Sequence, residues 1–265
     1  MKTRYPKEFL YSLGALFAAM VVVHAIWTFW VRPGAQAVLT VQTEAMRKDP
    51  NYVPERSLFV IMKDWEQESC VILMLWALAM IALKNNTTRR EEDTLDRDPV
   101  RIPEGMRILP EDTREYVRQL ESLPAEQQHS LIVRAAKAAL ARFGATRNVQ
   151  DVSEAGHAVC AAEAERLDSE LSMIRYIAWA IPAIGFIGTV RGIGDALSQA
   201  HKAVTGDISG VTEGLGTAFN STLVALLLSL VLMFLLHQLQ LAQERLVLDA
   251  ETYLDNRVLR NLQVR

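Results

Sequence analysis

Apolar positions along this chain cluster into four runs separated by charge-dense stretches. Residues 9–31, FLYSLGALFAAMVVVHAIWTFWV, contain no Asp, Glu, Lys or Arg. A helix of this length covers about 30 Å of hydrocarbon. Phe29, Trp30 and Val31 close the run without a small-residue cleavage site, so it reads as a retained span rather than a signal peptide. Residues 69–83, SCVILMLWALAMIAL, form a run short for a span and also compatible with a buried core helix; we read it as span two. The third run, YIAWAIPAIGFIGTVRGIGDALSQA from Tyr176, holds Arg191 and Asp195, and the fourth, residues 217–236, holds no charge. The expected fold is an all-α integral membrane protein with four transmembrane helices.

Basic residues orient the spans. Lys2, Arg4 and Lys7 precede the first, Lys84, Arg89 and Arg90 follow the second, and Arg175 and Arg245 flank the last pair; these sides are expected to be cytoplasmic. Arg32, Lys63 and Lys202 lie opposite, with Trp27, Trp30 and Trp65 placed like interfacial aromatics. The expected organisation is a tail and span one at 1–31, an outer loop at 32–68, span two at 69–84 and a cytoplasmic helical domain at 85–175. Span three at 176–200, a short outer loop at 201–212, span four at 213–238 and a cytoplasmic C-terminal helix at 239–265 complete it. Both termini are expected inside.

The outer segment carries Arg-Pro-Gly, Asp-Pro-Asn and Val-Pro-Glu and reads as a small, partly helical loop. The inner segment opens with KNNTTRREEDTLDRDPVRIPEG, whose prolines and charges predict an unpacked linker. Helices are then expected after Pro110 and from Pro124, the second stopping at Gly144. A charged, Ala-rich helix from about Val149 should run into the membrane without a breaker before Pro182. Beyond span four, Leu235, Leu239, Ala242, Leu246, Ala250 and Tyr253 recur at helical spacing, extending that helix to about Asn261. Its length would be about 70 Å. The long helices are the cytoplasmic extensions of the spans.

Charge and cysteine content narrow the function. Lys plus Arg number 28 against 31 Asp plus Glu, which argues against a polyanionic partner, so no nucleic acid is expected. Two cysteines, Cys70 in an apolar run and Cys160 in a polar region, supply no disulfide framework and no metal or redox motif. A P-loop, a His-rich metal motif and a G-x-S-x-G nucleophile signature are all absent, so no enzyme and no cofactor is expected.

Candidate chemistry lies in spans three and four. At 100° per residue Gly185, Gly188, Thr189, Gly192 and Ala196 share one face, on which Gly188 and Gly192 form a G-x-x-x-G pair that permits close backbone approach. Gly214, Thr217, Ala218, Ser221, Thr222, Ala225 and Ser229 form a second small, hydroxyl-bearing stripe. Such hydroxyls can merely bond the carbonyl one turn back, or the two stripes can line an interface or path. A charge in mid-span costs about 2.5 to 3.5 kcal/mol, so Arg191 and Asp195, one turn apart, are either a mutually neutralised pair or part of an ion path or partner contact. His24, alone among apolar residues, reads as a packed histidine rather than a relay.

IPAIGFIGTVRGIGDAL, followed by GLGTAFNSTLVALLLSLV, resembles the MotA/TolQ/ExbB proton-channel family over roughly the last hundred residues. The resemblance implies a homopentamer in the bacterial inner membrane, its two pore helices per subunit surrounding two single-span copies of a MotB, TolR or ExbD-like partner. The outer loops would then be periplasmic. Four spans look more like MotA than like three-span ExbB and TolQ. Thr189 matches the threonine of the family's G-T-V-x-G-I segment, Thr222 the threonine of its last pore helix, and Pro182 the proline of its third span. Thr217 stands where ExbB-like members carry glutamate, and Arg191 where they carry tryptophan. The implied function is that of an ion-conducting stator subunit, with an aspartate of the partner carrying a proton, or alternatively sodium, past Thr189 and Thr222. Thr217 and Ser221 share the candidate path, and Pro182, Gly185, Gly188 and Gly192 the helix packing. A non-conducting pentameric scaffold or signalling component on the same fold is the alternative.

Overall fold

The computed structural model describes residues 7–49, 52–103 and 106–264, with side chains from residue 10. Lys2, Arg4 and the Lys7 side chain, used to orient span one, lie outside the described residues, as do Pro50, Asn51, Glu104 and Gly105 of the loop motifs. Regular structure among the described residues is helical, apart from one isolated bridge between Ile108 and Leu262. Four stretches are long and apolar enough to cross a membrane: Leu10–Lys48, Trp65–Asp96, Val149–Ser198 and Ser209–Asn261. Helices suit this task because each satisfies its own backbone hydrogen bonds.

The chain divides into two compact units, one of Met1–Ile81 with Met173–Leu236 and the other of Ala82–Ser172 with His237–Arg265. In the first, α1 (Lys7–Ile26) passes through a π-helical turn, Trp27–Val31, into α2 (Arg32–Lys48). Short α3 (Leu58–Met62) follows, then α4 (Trp65–Asp96). The outer segment is therefore far more helical than its prolines suggested. Pro33 falls in the first turn of α2, directly after the π-helical turn, so the helix runs on past it. Indole donors tie these elements together: Trp27 Nε1 donates to the Met62 carbonyl at 2.8 Å, and Trp76 Nε1 to the Ser12 carbonyl at 2.9 Å. The unit is completed by α9 (Ser172–Ser198), α10 (Ala200–Ala203) and the first part of α11 (Ser209–Tyr253). The Cys70 thiol on α4 lies 3.6 Å from the Ile181 carbonyl on α9.

Two expectations about span two change. Its helix begins before Ser69, at Trp65, and the stretch after Lys84 read as an unpacked linker continues as helix to Asp96. Charge alone does not break a helix; the chain turns at Asp98, whose φ is +49°, immediately before Pro99. In the second unit this extension is held by partners: Lys84 Nζ lies 2.7 Å from Glu170 Oε2, and Glu91 Oε2 accepts the Leu131 N–H at 2.8 Å, capping α7. Burial raises the Glu91 pKa. Burial opposes ionisation of Glu170 as well, but hydrogen bonds from Lys84 and Arg166 outweigh it and hold that carboxyl below its usual range.

The second unit also contains α5 (Thr113–Glu121), α6 (Ala125–Gln128), α7 (Leu131–Thr146) and α8 (Val149–Glu170). After α11 the chain makes a π turn at Leu254–Val258 and a 3-10 turn at Leu259–Asn261. Leu131, Ile132, Ala136, Leu140 and Phe143 of α7 pack with Val152 and Cys160 of α8 and with Ala250, Leu254 and Val258. Cys160 is thus a core residue despite its polar neighbours in sequence. Gly144 does not end α7. The helix reaches Thr146, and Arg147 adopts the left-handed φ of +54°. Gly144 instead admits Thr113: a Cβ there would lie 2.7 Å from Thr113 Oγ1.

Candidate functional site

The α9 and α11 helices meet along the two small-residue stripes. A Cβ built on Gly188 would stand 2.4 Å from Ser221 Cβ, and one on Gly192 would stand 2.5 Å from the Ala218 nitrogen. Gly185 faces Ala225 in the same way, and Gly214 on α11 faces the Ala196 backbone. These glycines bring the two backbones of one chain together, so they do not supply a contact between subunits.

The four hydroxyls expected on the path fall on two sides of this seam. On one side the Thr189 and Thr222 hydroxyls contact each other directly. Thr189 Oγ1 also lies 3.2 Å from the Ala218 carbonyl and 3.3 Å from that of Gly185, while Thr222 Oγ1 reaches across to the Gly185 carbonyl at 3.2 Å. Thr222 is therefore bonded between helices rather than one turn back on its own helix. A hydroxyl has one proton and two lone pairs, so by rotation this pair can offer either a donor or an acceptor to a neighbour.

Thr217 and Ser221 occupy the other side. Ser221 is buried and donates to the Thr217 carbonyl one turn back at 2.8 Å, the ordinary helical use of a serine. Thr217 lines an open polar cleft of ≈ 450 Å³ together with Arg191, Asp195, Lys63, Asp64 and Glu213.

Arg191 and Asp195 are not the self-contained pair their spacing suggested. The Arg191 guanidinium makes two short hydrogen bonds to Glu66, from Nε at 2.6 Å and from Nη2 at 2.9 Å, whereas Asp195 stands 3.7 Å away. Glu66 is completely buried in the first turn of α4, where the helix dipole favours a carboxylate. Its neighbour Glu68 binds both His24, at 2.7 Å, and Arg32, at 2.6 Å. His24 is consequently a histidine hydrogen-bonded to Glu68, with 63% of its side chain exposed, not a packed one. The first turn of α4 thus supplies an acidic partner for both Arg191 and His24, which the sequence left unexplained.

Pro182 lies inside α9 and cannot donate to Ala178, four residues back. Ser229 on α11 fills that role, its Oγ donating to the Ala178 carbonyl at 3.0 Å.

Among the described residues no group of three or more His, Cys, Asp or Glu could hold a metal ion. No curated protein and no solved structure matches the chain. The family model for the MotA/TolQ/ExbB proton channel family matches residues 127–252, which include the whole α9–α11 seam. With four membrane-capable helices the chain is a multi-pass membrane protein, and its residues 127–252 match the MotA/TolQ/ExbB proton channel family, which supports a general role in ion conduction and energy transduction.

Proposed function

We propose that the chain is the ion-conducting stator subunit of an inner-membrane motor driven by ion-motive force. Five copies would surround the transmembrane helices of two copies of a MotB/TolR/ExbD-like partner, with both termini in the cytoplasm. The observation that carries this reading is the Thr189–Thr222 hydroxyl pair, joined across the seam at the two positions that match the family's pore threonines. A pair of hydroxyls at a half-buried helix contact can replace a water ligand of a passing ion or bond a protonated carboxyl on a partner helix. One charge crossing 100 mV releases about 2.3 kcal/mol, and the carried ion, H+ or Na+, would deliver it by turning the partner within the ring. Because Gly188 and Gly192 are occupied within the chain, the number five rests on the family match; a native mass corresponding to one copy would overturn it.

A second reading, a non-conducting scaffold of the same assembly, is favoured by Arg191, a permanent charge within span three. Reconstitution of the complex with its partner in liposomes separates the two through potential-driven ion flux. Conduction predicts flux in the wild type and its loss, by about tenfold or more, in Thr189→Val and Thr222→Val, which keep the side-chain shape and remove the oxygen. Undiminished flux through both variants would remove the hydroxyls from the path, and a silent wild-type complex would leave the scaffold.

A further inference from the structure

Arg191 raises a problem for any cation path beside it. A guanidinium cannot discharge by losing its proton in a protein, whereas a carboxyl can discharge by gaining one. The charge state of this side of the seam is therefore decided by whatever partners Arg191. Glu66 is the close partner, with two hydrogen bonds and no exposed surface. Asp64 stands 3.5 Å from the guanidinium and also meets Lys63 at 3.6 Å. Asp195 stands 3.7 Å away with 61% of its side chain exposed, and Asp64, though largely buried, is shared with Lys63, so neither makes the bidentate contact that Glu66 makes.

The pair lies on the Ser221 side of the seam, along the same helix that carries Thr189. Glu66 Cγ is 3.1 Å from the point a Gly188 Cβ would occupy, adjacent in sequence to Thr189 and on the same helix as Arg191. In place, Glu66 and Arg191 sum to zero charge. Without Glu66 the guanidinium, two residues from Thr189, would keep only the longer contacts to Asp64 at 3.5 Å and Asp195 at 3.7 Å and would lose the bidentate partner that holds it against α4.

We propose that Glu66 is a positioning residue for ion passage: it holds Arg191 against α4 in a neutral bidentate pair, and so keeps a fixed positive charge from acting on a cation at Thr189 and Thr222. The inference rests on the conduction reading and names a determinant of cation affinity outside the path itself. It also explains how a chain with this family match tolerates an arginine in span three.

The consequence is an asymmetry between partners. Removing the arginine removes the fixed positive charge, while removing the glutamate leaves that charge without its bidentate partner. The test measures flux against ion activity in liposomes carrying the full complex, for wild type, Glu66→Gln, Arg191→Gln and the double variant. Glu66→Gln should raise the half-saturating ion activity by about tenfold or more while the maximal flux stays within about threefold, the pattern of weakened cation binding rather than lost assembly. Arg191→Gln and the double variant should both stay within about threefold of wild type in half-saturation, since neither carries an unbalanced guanidinium. If Glu66→Gln does not assemble, the last two variants still decide: a tenfold loss of affinity in both would overturn the inference. An unchanged half-saturation in assembled Glu66→Gln would overturn it as well, with conduction standing. A silent wild type would instead overturn conduction itself, and this inference with it.

Discussion

The hydroxyl of Ser229 on α11 donates to the carbonyl of Ala178 on α9 at 3.0 Å. That carbonyl is the one Pro182 leaves without its helical donor. The proline of span three and the last serine of the α11 stripe are thus one structural unit, and the bond also pins the two helices together.

Ser229→Ala should therefore destabilise the protein by about 1–2 kcal/mol, the cost of a buried carbonyl left unpaired. In a Pro182→Ala background the restored N–H satisfies Ala178, and the same serine substitution should cost less than about 0.5 kcal/mol. Unfolding of the four proteins in detergent gives the double-mutant cycle. A coupling near zero would show that the two residues act independently.

Gly192 and Gly194 provide an internal comparison on one helix. A Cβ at Gly192 would stand 2.5 Å from the Ala218 nitrogen and 2.6 Å from the Gly214 carbonyl, both rigid backbone atoms, whereas nothing lies within 4 Å of a Cβ at Gly194. Gly192→Ala should spread the seam and cost about 1–3 kcal/mol, while Gly194→Ala should be neutral or raise stability by up to about 1 kcal/mol through helix propensity. Thermal stability in detergent distinguishes them. Equal effects at both positions would contradict the packing.

The seam was legible in sequence because small residues at helical spacing on two apolar runs have few uses other than close approach, and Thr189 and Thr222 meet as their stripes suggest. Glu66 was not. Span two was bounded at the first charge-free residue, so the acids of Asp-Trp-Glu-Gln-Glu fell into the loop. The available signal was a balance of charge: Arg191 and His24 lay in spans without strong partners there, and two acids preceded an apolar run where a helix N-terminus stabilises them. The helical stretch from Lys84 to Asp96 was hidden for a related reason, since its charges are polar partners of the second unit rather than marks of a linker. The stop of α7 was misplaced because glycine has two uses. Gly144 serves the close approach of Thr113, and Arg147 takes the left-handed position that glycine usually fills.

Cys160 offers a check on the second unit. Its thiol is fully buried, and burial together with nearby Glu251 pushes its pKa up to about 11. In the folded protein at pH 8 it should react with maleimide at least about a hundredfold more slowly than a free thiol, whose pKa is near 8.5, and it should react at the normal rate after unfolding. Rapid labelling of the native protein would contradict the core described for α7 and α8. Ala158, exposed on the same helix, is the better reporter of sidedness. Ala158→Cys is expected to label in inverted membrane vesicles and not from outside intact cells; the reverse would overturn the cytoplasmic placement of this segment.

Tyr253 closes the linker turn onto α11. Its hydroxyl donates to Asp98 Oδ1 and accepts the Val100 N–H at 3.0 Å, and Arg257 holds the other Asp98 oxygen at 3.1 Å. Burial, reinforced by the hydrogen bond to Asp98, raises the phenol's pKa well above its ordinary value. The sign of the pH dependence follows. A group whose pKa is higher folded than unfolded contributes fully below the unfolded value, about 10 for tyrosine, and its contribution declines as pH rises from there through the folded value. Wild-type stability should therefore fall between pH 10 and 12 more steeply than that of Tyr253→Phe, which has no proton to lose at this site. At pH 7 the phenylalanine variant should be less stable by about 1–3 kcal/mol, because the Val100 N–H loses its acceptor and Asp98 a donor. Denaturant unfolding of both proteins at pH 7 and at pH 11 measures each effect separately. The gap between them should narrow at the higher pH, and a constant gap would show that the phenol keeps no raised pKa in the fold.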